Sequence, residues 1–258
     1  MLELGSYPLW LIFLVTTAVI MVAAELGRWY GLRNAARGGS GLGALEGAVL
    51  GLLTLMISFT FAMALSRFDG RREAVVTEAN AIGTAGLRAR MLPAPMNAES
   101  LALLKDYLQI RVDGARGGWT EQQRQVALAR SGALQEQLWH VAKQAAARDN
   151  GMVPTGLYIN ALNEMFDSHE KRLAMFRDHV PSIVLLSLYG FAIVGMALAG
   201  YSDGLDKRLI RLPIHMMVIL VALAIALIQD LDRSMTGFLR IDLRPLADTV
   251  ATFEGFQD

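Results

Sequence analysis

The sequence predicts an all-α integral membrane protein with four transmembrane helices and a helical insert between the second and third spans. Its 258 residues are 53% hydrophobic, with a mean hydropathy of +0.37, which is typical of a multi-span membrane protein. Four apolar runs contain no Asp, Glu, Lys or Arg, and each approaches the roughly 20 residues that cross the hydrocarbon core. Between these runs, apolar residues recur with the period of a helix.

Composition excludes several classes of function. The chain has no cysteine, which excludes disulfides, thiolate zinc sites, iron–sulfur clusters and cysteine nucleophiles. Its 24 basic and 24 acidic residues cancel, so nucleic-acid binding gets no support. The sequence also lacks a glycine-rich phosphate loop, a nucleophile elbow and a His-Glu-x-x-His element. We therefore expect no enzyme, no nucleic-acid partner and no cofactor.

Residues 1–66 are predicted to form the first transmembrane pair. The first span is Leu9–Ala24, and it lacks the basic start of a signal peptide, so we predict a retained helix. Residues Gly27–Gly43 are predicted to be a loop because they are rich in Arg and Gly. The second span begins near Gly47 and continues past the membrane as one helix to about Met91, where a Pro-Ala-Pro sequence follows.

The second span carries the strongest functional signal. Gly51, Leu55 and Phe59 are spaced four apart and form one stripe, while the hydroxyls of Thr54 and Ser58 interrupt the apolar run. Contact with lipid requires neither the glycine nor the hydroxyls. We predict that this helix packs against copies of itself or other spans, or lines a pore. The alternatives are ordinary helix packing and hydroxyls, including Thr60, that bond to the carbonyl four residues back.

Residues 67–179 are predicted to be a soluble insert of four amphipathic helices, one of them continuous with the second span. Asn97 is a predicted N-cap. Thr120 and Gln123 form a predicted capping box that opens a helix to about Arg148. The expected buried stripe of that helix is Val126, Ala133, Leu134, Leu138, Val141 and Ala145.

Residues 180–229 are predicted to be the second transmembrane pair, with spans Val180–Gly200 and Leu212–Ile228. Residues 230–258 are predicted to be a tail that packs against the insert. His215 lies inside the fourth span, and we expect it to hydrogen-bond to a neighbouring helix. Four spans place both termini and the insert on one side. The basic residues of the short loops place that side outside, whereas all span flanks together place it inside.

Charged residues near the spans are further candidates. Glu46, Arg67 and Arg71 are candidates for charges at a pore mouth or for lipid or ion contacts, and ordinary flanking charge is the alternative. Asp230 and Asp232 are the candidates for a metal site. Two carboxylates supply fewer oxygens than calcium takes, so solvated acids at a helix end are the alternative.

Three motifs resemble those of the bestrophin channels. Ile57-Ser-Phe59, followed by the run from Ser66 to Arg71, is similar to the end of the bestrophin pore helix. Leu162–Asp167 is similar to the Leu-Asn-Asp stretch that precedes the third span. Asp230-Leu-Asp232, with the tail Leu243–Leu246, is similar to the acidic segment and the Leu-Pro-Leu tail of these channels. The chain most resembles the bestrophin-like group of bacterial membrane proteins.

The resemblance implies a homopentamer in the bilayer of the bacterial inner membrane, with cytoplasmic termini and insert. The second spans would surround a pathway for small ions, and Gly51, Leu55 and Phe59 would form a hydrophobic gate. Thr60-Phe61-Ala62 stands where the family carries a polar cluster, so the sign of the ion is left open. Animal bestrophins have a longer acidic calcium clasp than Asp230 and Asp232 provide. The alternative function is a membrane-anchored helical sensor or scaffold without transport activity.

Overall fold

The computed structural model describes residues 7–35, 42–115, 118–206, 211–233 and 237–256, and these contain helices and no β-strand. The helices are α1 (Leu9–Asn34), α2 (Leu42–Ala89), α3 (Met96–Ala115), α4 (Glu121–Arg148), a π-helical turn (Met152–Gly156), α5 (Leu157–Arg177), α6 (Ser182–Leu205), α7 (Leu212–Asp232) and α8 (Arg244–Glu254). The all-α prediction is confirmed.

The chain divides into two compact units. The membrane unit consists of Met1–Phe68 and His179–Arg240, and the insert unit consists of Asp69–Asp178 and Ile241–Asp258. Four helical segments in the described residues are long and apolar enough to cross a membrane; they lie in α1, in α2, in the segment that ends with α6, and in α7. This confirms the predicted number of spans. The finer division into four segments stays a prediction.

The membrane unit is built around an apolar core that all four of its helices share. Ile20 of α1, Leu188 and Met196 of α6, and Val218 of α7 are completely buried there. The helix α2 contributes Leu53 and Ala64, and Leu53 lies against α6 at Gly195.

Glycines hold α1 and α6 at backbone contact. A Cβ at Gly27 would lie 2.0 Å from the carbonyl oxygen of Ala197, and a Cβ at Gly200 would lie 2.0 Å from that of Ala24. Gly31 and Gly204 are just as crowded, at 2.2 and 2.3 Å. Each helix thus contributes a Gly-x-x-x-Gly pair, the spacing at which membrane helices approach most closely.

This contact explains why the loop prediction for residues 27–43 was wrong over its first part. The helix α1 continues through Gly27 and Gly31 to Asn34, because these glycines are contact positions rather than helix breakers. Two polar side-chain contacts lie at the same end of the unit. Arg28 donates to Asp203 at 2.6 Å, and His215 of α7 lies 2.8 Å from Glu25 of α1. The predicted hydrogen bond of His215 to a neighbouring helix is confirmed.

In the insert unit, the start of α4 is as predicted. The Thr120 hydroxyl accepts the backbone N–H of Gln123, and the Gln123 side chain accepts the N–H of Thr120 at 2.8 Å. Two positions of the predicted buried stripe are wrong, because Val126 and Ala133 are exposed while Ser131 and Ala142 are buried instead. The α3 helix starts one residue before Asn97, at Met96.

The last helix, α8, packs within the insert unit. Phe253 is 1% exposed, and its ring occupies the space that a side chain at Gly86 would need. The Thr249 hydroxyl lies 3.4 Å from the carbonyl oxygen of Ala79. The α8 part of the predicted tail therefore lies against α2, whereas residues up to Arg240 belong to the membrane unit.

Replacing Gly200 with Leu is expected to destabilise the membrane unit strongly. The new side chain would overlap the α1 backbone, and overpacking of this kind costs about 1–3 kcal/mol or more. Gly190→Leu in the same helix is the matched control, because Gly190 has no atom within 4 Å of an added Cβ. Thermal unfolding of the detergent-solubilised chain measures both, and equal midpoints for the two variants would contradict the α1–α6 contact.

Candidate pore-lining helix

The residues predicted to line a pore share one side of α2. Gly51, Thr54, Leu55, Ser58 and Phe59 are all exposed in the single chain, with Leu55 at 49% and Phe59 at 63%. The opposite side of the same helix is buried in the membrane unit, with Leu53, Thr60 and Ala64 at 2% exposure or less. The predicted stripe is therefore the side of α2 that this chain's own helices leave uncovered.

The uncovered side of α2 differs in composition from the uncovered side of α7. Small residues dominate the middle of the α2 side, and Leu55 and Phe59 are the large ones among them. The small exposed residues include Gly47, Ala48, Gly51, Ser58, Ala62 and Ser66, and leucines 45, 52 and 65 lie at its edges. The exposed residues of α7 are nearly all large: Leu212, Pro213, Met216, Ile219, Leu220, Leu223 and Leu227.

The hydroxyls of α2 bond within the helix, as the plainer of the two interpretations predicted. Thr54 donates to the carbonyl of Leu50 at 2.9 Å, and Ser58 donates to that of Thr54 at 2.9 Å. The buried Thr60 donates to Met56 at 2.7 Å. Because each hydroxyl donates its proton to a backbone carbonyl of the helix, Thr54 and Ser58 present oxygen lone pairs on the exposed side.

The charged candidates along α2 lie in different surroundings. Glu46 and Arg67, near the two ends of the membrane part, are both half-buried. Arg71 is completely buried in the insert unit, where it donates to the backbone carbonyl of Asp178 at 3.2 Å. This burial favours a structural role for Arg71 over contact with ions or lipid.

The two acids after the fourth span fasten backbone segments. Asp230 is 4% exposed and accepts the N–H groups of Phe238 and Leu239 at 2.9 and 3.1 Å. Asp232 accepts the N–H of Val180 at 2.8 Å. Within the described parts of the chain, no group of three His, Cys, Asp or Glu side chains could hold a metal ion. These contacts favour a structural role, and calcium binding here stays a prediction.

A buried ionic cluster in the insert unit was not foreseen from the sequence. Glu78 of α2 is completely buried and accepts from Arg111 of α3 at 2.8 Å and from Arg172 of α5. His169 of α5 lies 3.4 Å from the same carboxylate, and the ring of Tyr107 lies beside His169. The available signal was that Glu78 falls among the apolar positions Val75, Ala79 and Ile82, where a charge needs partners.

The partners of Glu78 keep it ionised. Burial on its own raises the pKa of the Glu78 carboxyl, but the His169 hydrogen bond and the two guanidiniums outweigh burial and lower the pKa to about 2. Glu78 lies thirteen residues beyond Leu65, the end of the charge-free stretch, so it is outside the membrane span. The cluster ties α2, α3 and α5 together by charge as well as by packing.

A family model for the bestrophin-like domain matches residues 42–246. The chain belongs to the bestrophin-like family. The resemblance inferred from the three motifs is therefore confirmed, and no match is found among curated proteins.

Solved structures have the same fold as this bestrophin-like chain. A crystal structure of a bacterial bestrophin homolog from Klebsiella pneumoniae matches with a TM-score of 0.64 at 16% identity, over 96% of each chain. A point variant of that homolog matches with a TM-score of 0.67 at 17% identity, over 95% of each chain. A further membrane protein variant matches with a TM-score of 0.64 at 16% identity, over 97% of this chain and all of the other.

Membership of the bestrophin-like family has consequences at the level of the family. It supports an ion channel rather than an enzyme, in a multi-pass membrane protein. At 15–17% identity the structural matches show the fold alone. The pore residues, the subunit number and the membrane orientation of the bestrophin-like chain remain predictions.

Replacing Glu78 with Gln is expected to destabilise the protein by about 3–5 kcal/mol, because it leaves two buried guanidiniums without their carboxylate. The matched control is Glu121→Gln, which removes a carboxylate paired with Arg124 on the surface and is expected to change stability little. Chemical denaturation of the solubilised chain measures both. A loss no larger than that of the control would show that the cluster contributes nothing.

The pH dependence of stability gives a second readout of the same cluster. The folded pKa of Glu78 is lowered, so its stabilisation is complete above its ordinary value of 4.5 and is lost as the pH falls towards about 2. The difference in unfolding free energy between the wild type and Glu78→Gln should shrink over this interval. A difference that stays constant from pH 7 down to about 2 would contradict the assignment.

Proposed function

We propose that the chain is an ion channel in which the α2 helices of five copies surround a central pathway, with Gly51, Leu55 and Phe59 at its narrowest part. The observation that carries this proposal is the composition of the uncovered side of α2. That side combines a glycine, alanines and hydroxyls with only two large apolar side chains at its centre.

Contact with lipid does not account for such a surface. Large aliphatic side chains make the most contact with lipid tails, and α7 presents a nearly continuous row of them. Small residues and hydroxyls are enriched where membrane helices approach one another or where they face a cavity. The composition of these two sides therefore favours contact with lipid for α7 and contact with the α2 helices of other copies for α2.

The same side of α2 has the chemistry of a hydrophobic gate. Leu55 and Phe59 are one helical turn apart and both point away from the chain's own core. Rings of such side chains close a narrow path by expelling water and conduct only when wetted. Ser58 and Thr54 lie beside them and offer uncharged oxygens.

Charges are placed near both ends of the proposed pathway. Glu46 and Arg67 are 21 residues apart, which is about 32 Å of helix and close to the thickness of the hydrocarbon core. We assign them to the two mouths, where they would act on arriving ions and on lipid phosphates. A metal role for Asp230 and Asp232 would be limited to calcium and is secondary to their backbone contacts.

The proposed location is the bacterial inner membrane, with the termini and the insert in the cytoplasm. This orientation rests on the resemblance to bestrophins and on the arginines that flank the spans next to the insert. Lys171 is exposed on the insert. A cysteine placed there should react with an impermeant reagent after the membrane is opened and not in intact cells.

The alternative is a membrane-anchored sensor or scaffold, and one feature of the insert unit favours it. An open surface groove of about 570 Å³ lies between the end of α3 and the start of α4. Ile110, Trp119 and the unexpectedly exposed Val126 line it, with Asp113 and Arg130. A chain that conducts no ions in liposomes and binds a ligand in this groove would establish the alternative.

Replacing Phe59 with Ala is expected to raise ion flux several-fold, because the substitution widens and wets the constriction. Leu223→Ala is the matched control, since Leu223 is similarly exposed, at 54%, but lies on the α7 surface assigned to lipid. Flux into proteoliposomes of the purified chain measures both. Equal flux in the Phe59 variant, the control and the wild type would remove Phe59 from the pathway.

The chain is also expected to associate through α2. Because it contains no cysteine, Leu55→Cys introduces a single thiol, which should form intermolecular disulfides on mild oxidation in membranes, whereas Leu223→Cys should not. Native mass spectrometry of the wild type is expected to give five copies. A monomer would refute the assembly, and disulfides formed equally by both variants would refute the assignment of α2 to the interface.

A further inference from the structure

The loop that follows α7 displays an unusually exposed aromatic side chain. Phe238 is 88% exposed, which is the highest value among the large hydrophobic residues that the structure describes. It lies six residues after Asp232, the last residue of α7. Exposing an aromatic ring to water costs free energy. The exposure of Phe238 therefore raises the question of what contacts its ring.

The loop is fastened so that Phe238 points outward. The buried carboxylate of Asp230 accepts the N–H groups of both Phe238 and Leu239. A Cβ at Gly237 would lie 2.2 Å from the same carboxylate, so no larger residue fits there without displacement. The backbone of the loop is held by a buried carboxylate of the membrane unit, whereas the ring of Phe238 lies outside that unit's core.

Aromatic residues near the start of α1 and arginines that follow α7 lie at the same end of the membrane unit. Arg233 donates to the backbone carbonyl of Tyr7 at 2.5 Å, which brings the two chain segments together. Tyr7 is 53% exposed and Trp10 is 63% exposed. Arg240 is also exposed, and its Nε lies 3.5 Å from the carbonyl of Gly237.

This combination has the composition of a membrane–water interface. Aromatic residues concentrate at the depth of the lipid headgroups, and arginines beside them attract anionic phospholipids. We propose that the loop 237–240 is an interfacial anchor, in which Phe238 enters the headgroup–acyl boundary and Arg240 binds the phosphate of an anionic phospholipid. This inference rests on the four membrane spans and not on the proposed ion conduction.

The absence of cysteine allows a direct test of the anchor. The full chain with Phe238→Cys is spin-labelled in nanodiscs of phosphatidylcholine and phosphatidylglycerol, and the collision rates of the label with oxygen and with a water-soluble nickel chelate are measured. Leu223→Cys, exposed on α7, gives the lipid reference, and Lys171→Cys, exposed on the insert, gives the water reference. Because Phe238 is exposed, its substitution is expected to leave the fold intact.

The label at position 238 is expected to have a higher collision rate with oxygen, and a several-fold lower collision rate with the nickel chelate, than the label at position 171. Nickel access equal to that of the water reference would overturn the anchor. Shielding from both reagents would also overturn it, by showing that a second copy of the chain covers the loop.

The role of Arg240 is tested in the same experiment. Replacing phosphatidylglycerol by phosphatidylcholine, or Arg240 by Gln, should move the label towards water. An unchanged depth under both conditions would remove the phosphate contact from the proposal. In Asp230→Asn the spectrum should become more mobile, and a spectrum like that of the parent would show that the carboxylate does not hold the loop.

Discussion

The membrane unit depends on backbone contact between α1 and α6. In hydrocarbon no hydrophobic force draws helices together, so association relies on close packing and on the few polar contacts available. Gly27 and Gly200 allow the two backbones to touch, and the pairs Arg28–Asp203 and His215–Glu25 add polar contacts at one end. With α1, α6 and α7 joined in this way, α2 needs only one side for contact with them. Its other side is then available for a partner outside the chain.

The insert unit solves a different problem, because water competes for its surfaces. Packing is supplied by apolar residues such as Leu104, Leu138 and Leu162, all completely buried. The Glu78 cluster adds little net stability compared with an apolar core. The free-energy cost of removing three charged groups from water offsets much of the attraction between them. We infer that its value lies in specificity. A carboxylate that must meet Arg111 and Arg172 at once permits one mutual arrangement of α2, α3 and α5, whereas leucines would permit several.

Most of the fold could be predicted from the sequence, because hydropathy fixes the spans and helical periodicity fixes the insert helices. The failures have physical causes. Gly27 and Gly31 were taken as loop residues, although their four-residue spacing is also that of a helix contact. Val126 was placed in the core because a period gives the apolar side of a helix but not where its neighbours end. Glu78 was missed because the amphipathic pattern expected of the insert helices places charged residues on the solvent side. The predicted stripe of α2 is uncovered in the structure, yet a single sequence cannot say what covers it.

The scarcity of large aliphatic residues on the exposed side of α2 limits what can cover this side in the membrane. The hydroxyls of Thr54 and Ser58 are already bonded within the helix, so they demand no partner and could face lipid at small cost. Gly51 and the alanines are more informative, because a small residue facing lipid forfeits dispersion contacts that a leucine would gain. The uncovered side of α7, which we assign to lipid, carries leucine and isoleucine instead. Apart from Leu55 and Phe59, the centre of the exposed side of α2 holds small residues. It is therefore shaped for a close approach or for an open path, and these two side chains stand where either would be narrowest.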